Sequence, residues 1–276
     1  MKRACVIGWP IAHSRSPLIH NFWLHLYGIE GSYTKEAVLP KDLNAFLASL
    51  EVQGFAGCNV TVPHKEKTFA AAVIHDPSAT AVGAANTVWF ENGRLACANT
   101  DTYGFMANLD ATAPQWRENS GPVLVLGAGG SARAVVYGLL QAGREDIRVF
   151  NRSLERATEL ATHFSKGVTP LRWDERNDHV SNAALIINTT TLGLNGDGNP
   201  DIDFANAPKT AVAADLVYVP LETPFLKSAR EQRLATVDGL GMLLHQAVPG
   251  FEKWFGVRPD VTPALRAHIV QEIGGS

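Results

Sequence analysis

The chain of 276 residues is longer than one hydrophobic core usually supports, so two domains are expected. With 24 basic against 27 acidic side chains the net charge is −3, which gives no electrostatic case for nucleic acid or an anionic membrane as partner. Three cysteines with no CxxC pair cannot form a complete disulfide framework and fit a reducing cytoplasm.

The opening "MKRACVIGWPIAHSRS" carries two early charges, but its apolar run stops at Pro10 and His13, too soon for a secretory leader. It reads as a strand over "RACVIGW". A helix over "PLIHNFWLHLYG", a strand over "GSYTKEAVL", a helix around "DLNAFLASLEVQG" and a strand over "GCNVTV" follow. Strand alternating with helix argues for an α/β sheet with parallel pairing. "GAANTVWFENGRLACANTD" then reads as a hairpin turning at Asn92-Gly93. "TYGFMANLDATAPQWRENSG" is a helix with a polar connection, and the domain change is placed near residue 101.

The second half restarts the rhythm with strands over "PVLVLGAGG", "DIRVFNR", "LRWDE", "AALIINTT" and, last, "TAVAADLVY". Their continuous apolar character suggests a sheet covered on both faces. "GPVLVLGAGGSARAVVYGLLQAG" is too rich in glycine, and holds Arg133, for a membrane span. Two amphipathic helices, "GLGMLLHQAVPGFEKWFG" and "TPALRAHIVQEIG", come after the last strand and could pack back on the first domain. The polar loop "LNGDGNPDID" is no calcium loop, since Ile202 and Pro208 stand where Gly and Glu are needed. The nine histidines include no HExxH pair, so no metal is expected.

In "VLVLGAGGSARAVV" an apolar strand ends at Gly127, and Gly127, Gly129 and Ala132 fit the dinucleotide fingerprint G-x-G-x-x-G/A ahead of a helix. An NAD site wants a carboxylate about 20 residues further on, to accept from the ribose 2′-hydroxyl. Here the next strand ends at Asn151 and Arg152, with Arg156 one turn later. Two guanidiniums suit a 2′-phosphate, so NADP is the expected cofactor.

Polar residues recur at strand ends of the first half: Ser14, Ser16, Asn59, Thr61, Lys65, Asn86 and Asp101. Each has an ordinary use: Ser16 before Pro17 as a helix cap, Asn86 in a turn, Asp101 as a cap of the next helix. Their short hydroxyl and amide side chains would also suit a ligand with several hydroxyls. On residues alone, Lys65 divides evenly between a surface charge and a proton-transfer group.

"SRSPLIHN", "NVTVPHK", "GAANT", "NTD", "GAGGSARA", "NRS", "DLVYVP" and "DGLGMLLHQ" occur in the order seen in shikimate dehydrogenases, and the chain resembles that family from end to end. The resemblance implies an NADPH-dependent, reversible reduction of 3-dehydroshikimate to shikimate, in the pathway to aromatic amino acids. It implies a two-domain α/β fold: an open α/β substrate domain over residues 1–101 and 239–276, and a Rossmann-like NADP-binding domain over 102–238.

By the same resemblance Lys65 and Asp101 form the catalytic pair, and Ser14 and Ser16 hold the substrate carboxylate with Tyr218 nearby. Asn59, Thr61, Asn86 and Gln246 surround the ring hydroxyls. Gly127, Ala128, Gly129, Gly130, Ser131, Ala132, Asn151, Arg152 and Arg156 contact NADP, and Thr190, Leu216, Gly239 and Met242 hold its nicotinamide half. The chain departs from many members at Thr102, where "NTDG" is common, and at Trp9, where a smaller or polar residue is common. The expected partner is the small-molecule substrate, with no nucleic acid or membrane, and the chain acts as a monomer or homodimer. The alternatives are a quinate-using or NAD-using dehydrogenase of the same fold, and a non-catalytic NADP-binding sensor.

Overall fold

A computed structural model describes residues 2–274. The chain divides into two compact units, residues 1–101 with 244–276, and residues 102–243. In chain order the first unit contains β1 (Lys2–Gly8), α1 (Ser16–Leu26), β2 (Gly31–Ala37), α2 (Leu43–Ser49), β3 (Phe55–Val60) and α3 (Lys65–Ala71). It continues with β4 (Ile74–His75), α4 (Pro77–Val82), β5 (Thr87–Glu91) and β6 (Arg94–Ala98). The helix α5 (Thr100–Thr112) starts in this unit and runs into the second.

The second unit holds β7 (Val123–Leu126), α6 (Gly130–Gln141), β8 (Ile147–Asn151), α7 (Leu154–Phe164) and β9 (Val168–Arg172). Then come β10 (Leu185–Asn188), β11 (Val212–Asp215), α8 (Pro224–Glu231) and β12 (Ala235–Val237). Helix α9 (Gly239–Phe255) leads back to the first unit, which α10 (Pro263–Gly274) completes.

The first sheet has the order β2-β1-β3-β5-β6-β4. β1 pairs in parallel with β2 and β3, while β5 runs antiparallel to both β3 and β6. The β5–β6 hairpin turns at Asn92 and Gly93, both with positive φ (51° and 72°), as a tight two-residue turn requires. One sheet face packs Cys5, Ile7, Cys58, Val60 and Val88 against Leu43, Leu47 and Ala79 of the helices. An aromatic cluster from α1, β2 and α9 collects His20, Trp23, Tyr33, Phe251 and Trp254. Trp254 also donates its indole N–H to the Val88 carbonyl, tying α9 to β5.

The second sheet, β12-β11-β10-β7-β8-β9, is parallel throughout. Strand residues alternate between its faces. Val123, Val125, Leu185 and Ile187 join one core with Phe105, Leu109 and Val135. Leu124, Leu126 and Ile186 join another with Phe204, Phe225 and Leu226. Both faces are therefore covered, and β7 at the centre of the sheet is apolar at every position.

Three sequence expectations need correction. β12 follows "TAVAADLVY", which is not the last strand, and β4 was not expected; with three and two residues, neither is long enough to show a period. The strand expected over "LRWDE" is β9, which ends at Arg172; Trp173, Asp174 and Glu175 begin a 3-10 segment whose Glu175 accepts from the Arg172 backbone N–H.

At the end of β11 the buried Asp215 binds three segments together. Its carboxylate accepts from the Asn188 side chain of β10 (2.9 Å), the Val217 backbone N–H (3.0 Å) and the Thr223 hydroxyl that caps α8 (2.6 Å). Asn188 in turn donates to Leu192 and accepts from Thr190. Burial outweighs these donors and pushes the Asp215 carboxyl up to about 6.

A carboxyl with a raised native pKa binds its proton more tightly folded than unfolded, so its contribution to stability falls as pH rises from about 4 to about 6 and is flat above. The stability of the parent relative to Asp215→Asn should fall across that window, by on the order of 2 to 3 kcal/mol. Urea unfolding of both proteins from pH 4 to pH 7 measures this; parallel stability curves would contradict the assignment.

Candidate functional site

β3 ends at Val60, and the chain turns through a cis Val62-Pro63 bond into α3, whose first residue is Lys65. His64, fully buried, donates from Nε2 to the Val38 carbonyl at 2.7 Å and so fixes the turn from which Lys65 projects. The Lys65 backbone carbonyl accepts from Ala85, which ties the same turn to the segment carrying Asn86. Lys65 Nζ donates to Asp101 Oδ2 at 2.7 Å, with 30% of the lysine side chain and 16% of the aspartate exposed. The pair is partly shielded from solvent.

Asp101 stands in the first turn of α5, where the helix dipole favours a negative charge. Asn86 Nδ2 donates to its other oxygen at 2.8 Å, and the Asn99 side chain accepts from its backbone N–H. Asn86 is held from the far side, its Oδ1 accepting from the Thr100 backbone N–H (2.7 Å), the Thr100 hydroxyl and the Thr87 hydroxyl (3.0 Å).

Asn59, only 5% exposed, spends both amide hydrogens inside the protein, on the Asn86 carbonyl (3.2 Å) and Thr87 Oγ1 (3.0 Å). These bonds make it a brace of the segment that carries Asn86. Ser14 and Ser16 lie together, their hydroxyls 3.4 Å apart, at the start of α1. Thr61 is half-buried just past β3, and Gln246 is buried on α9, both in this unit.

Tyr33 Oη, absent from the sequence reading, donates to Asn59 Oδ1 at 2.6 Å. The signal that could have found it is a tyrosine in a strand, with a hydroxyl that needs a partner once buried. His20 stacks on its ring at a centroid distance of 4.0 Å and makes no hydrogen bond through either ring nitrogen. Burial pushes His20 down to about 3, against the neighbouring Asn59 amide, so the imidazole is neutral. Among the described residues no group of three or more His, Cys, Asp or Glu is placed to hold a metal ion.

In the second unit the fingerprint turn joins β7 to α6. Gly127 has φ +106°, and a Cβ there would stand 2.8 Å from the Thr189 hydroxyl, so only glycine fits. A Cβ at Gly129 or Gly130 would meet nothing within 4 Å. No side chain caps α6 at Gly129, leaving open space over its unpaired N–H groups, a surface suited to phosphate oxygens. Ala128 and Ser131 flank this turn, and Ala132 is fully buried where α6 meets the sheet.

At the end of β8, Asn151 donates to the Ser153 carbonyl, and Arg152 and Arg156 are exposed. Arg152 lines a hollow of about 300 Å³ with Leu154, Arg172, Trp173 and Asp174. The carboxylate in that hollow, Asp174, is ion-paired with Arg172 at 3.1 Å. These groups fit an adenosine 2′-phosphate better than a bare ribose. Thr190 is fixed by Asn188, Leu216 and Tyr218 are half-buried after β11, and Gly239 and Met242 open α9. Thr102, the departure after Asp101, donates to the Ala134 carbonyl and so packs the start of α5 on α6. Trp9, the other departure, is 47% exposed.

Residues 6–88 match the family profile described as "Shikimate dehydrogenase substrate binding domain". Residues 112–213 match "Shikimate / quinate 5-dehydrogenase", and 239–267 match "Shikimate 5'-dehydrogenase C-terminal domain". The NADP(+) shikimate dehydrogenase of Brucella abortus is 58% identical over 99% of this chain and 95% of its own. The corresponding protein of Azorhizobium caulinodans is 52% identical over 99% and 97%.

Among solved structures, the shikimate 5-dehydrogenase of Thermus thermophilus in complex with NADP(H) and shikimate has a TM-score of 0.85 and 36% identity, covering 99% of this chain and all of that one. A quinate dehydrogenase from Corynebacterium glutamicum in complex with NAD has a TM-score of 0.89 and 27% identity over 98% of this chain and all of its own. With three ordered matches and relatives above half identity along nearly its whole length, the chain belongs to the shikimate dehydrogenase family.

Proposed function

We propose that the chain interconverts 3-dehydroshikimate and shikimate with NADP(H), in aromatic amino acid biosynthesis. The observation that carries this reading is the Lys65–Asp101 pair, 2.7 Å apart and braced by Asn86, within the unit that matches the substrate-binding domain. When bound, NADPH supplies the hydride for the ketone carbon. Lys65 Nζ gives a proton to the oxygen that gains charge, and in reverse a neutral Lys65 accepts the hydroxyl proton. Asp101 aims the ammonium and offsets its charge.

Ser14 and Ser16 hold the substrate carboxylate, while Asn59, Thr61, Asn86 and Gln246 surround the ring hydroxyls. In the second unit the Gly127–Ala132 turn takes the pyrophosphate, and Asn151, Arg152 and Arg156 take the adenosine 2′-phosphate. Thr190, Leu216, Gly239 and Met242 serve the nicotinamide half, and Tyr218 the carboxylate. The reading places the enzyme in the cytoplasm as a monomer or homodimer; its buried, unpaired cysteines support a reducing compartment.

Likeness to the quinate dehydrogenase in complex with NAD supports a second reading, with quinate and NAD in place of shikimate and NADP. Initial rates with shikimate or quinate, each with NADP+ or NAD+, separate them: kcat/KM should be highest for shikimate with NADP+. Preference for quinate with NAD+ would establish the second reading, and no turnover of either substrate would leave a nucleotide-binding protein without catalysis.

Lys65→Ala should lower kcat by about 10²- to 10⁴-fold, with NADP+ affinity intact by titration; parental turnover would remove Lys65 from the mechanism. Replacing Arg152 and Arg156 together by Ala should raise KM for NADP+ by on the order of tenfold or more, since charge-assisted hydrogen bonds contribute about 1.5–3 kcal/mol each. KM for NAD+ should hardly move; an equal rise for both nucleotides would disprove the 2′-phosphate role.

A further inference from the structure

Side-chain hydrogen bonds link Tyr33 to Asp101 in one connected chain whose direction is forced from the Asp101 end. A carboxylate only accepts, so Asn86 must turn its NH2 toward Asp101 and its Oδ1 away. That Oδ1 then accepts from Thr87, which spends the threonine's single hydrogen. Thr87 Oγ1 is left to accept from Asn59 Nδ2, which fixes Asn59 Oδ1 as the acceptor for Tyr33. The phenol hydrogen is thus spent on Asn59.

Every donor from Tyr33 to Asp101 points the same way. The strand register makes this reach possible. Tyr33 on β2 stands level with Ala4 of β1, and Asn59 on β3 stands level with Val6, two residues further along the same face. The phenol therefore leans over β1 past the small Ala4 side chain, toward the strand ends. Asn59 and Thr87 are direct cross-strand partners. Stacking on the neutral His20 ring holds the phenol in this posture.

We propose that Tyr33 is a positioning residue for the reaction: through one relay, Asn59 and Thr87, its hydroxyl steadies the Asn86 amide that aims Asp101. This rests on the functional reading above. Removing the phenol hydroxyl leaves the buried Asn59 Oδ1 without its donor, so Asn59 is held only through its NH2, on the Asn86 carbonyl and Thr87 Oγ1, and the brace behind the group that aims Asp101 loosens. Asn86 serves both the ring hydroxyls and Asp101, so substrate binding and proton transfer both suffer from one change far from the ammonium.

The test uses Tyr33→Phe, which keeps the ring and its stack on His20, together with Thr87→Val and the double variant. The readouts are kcat and KM for shikimate with NADP+, and NADP+ affinity. Tyr33→Phe should lower kcat/KM for shikimate by on the order of tenfold, with KM raised, kcat lowered and NADP+ affinity unchanged. If the two residues act in one relay, the double variant should be little worse than the worse single one.

Parental kcat/KM in Tyr33→Phe would overturn the proposal, as would effects that multiply in the double variant. Should Tyr33→Phe fail to fold, Thr87→Val breaks the same relay in its middle with Tyr33 intact, and parental kcat/KM there overturns it equally. A parent protein that does not reduce NADP+ with shikimate sinks the functional reading; a parent that turns over while the variants match it sinks only the relay.

Discussion

The constraint on which the site depends is that the Asp101 carboxylate can only accept hydrogen bonds. Two donors reach it, one charged and one neutral, and each fixes something different: Lys65 gains a defined direction for its ammonium, and Asn86 loses its freedom to turn over. An amide that cannot flip presents donor and acceptor edges in a known order. From Asn86 the order spreads through Thr87 and Thr100 to Asn59. A site for a polyhydroxylated ring needs such edges set in advance, because an amide free to rotate would serve a hydroxyl and its ketone with little distinction. The burial of Asn59, Asn86, Thr87 and Thr100 makes the arrangement rigid, since any of them left unpaired would carry the cost of an unsatisfied buried polar group.

Much of this was legible in the chain. The apolar strands of the second unit announce a doubly covered sheet because both of its faces are filled. Gly127 announces its turn because no other residue tolerates both its φ and the Thr189 hydroxyl beside it. The hairpin at Asn92-Gly93 is legible for the same reason of backbone conformation. Polar residues at strand ends pointed to Lys65, Asn86 and Asp101 because ligand-binding groups gather along one edge of an α/β sheet.

What escaped the sequence has physical causes too. β4 and β12 are too short to show a period and exist because a neighbouring strand offers them partners. Tyr33 lies inside a strand of mixed character, and its partner Asn59 is 26 residues away. Nothing local marks it; only the register of β2, β1 and β3 brings the two together. Asn59, at a strand end, was legible as a ligand contact but not as a brace. Its commitment to Asn86 and Thr87 belongs to the tertiary structure.

The route of α9 has a consequence for how the molecule is made. Its last turns carry Phe251 and Trp254 into the aromatic cluster of the first unit, and Trp254 closes on Val88, 166 positions earlier. A chain synthesised from its N-terminus therefore has every strand of the first sheet in hand long before the helix that seals it. The nucleotide-binding sheet, continuous from residue 102 to 243, can complete its core in the interval. The half that is begun first is finished last, and until α9 arrives its sheet lies open on the side where Tyr33 must be held.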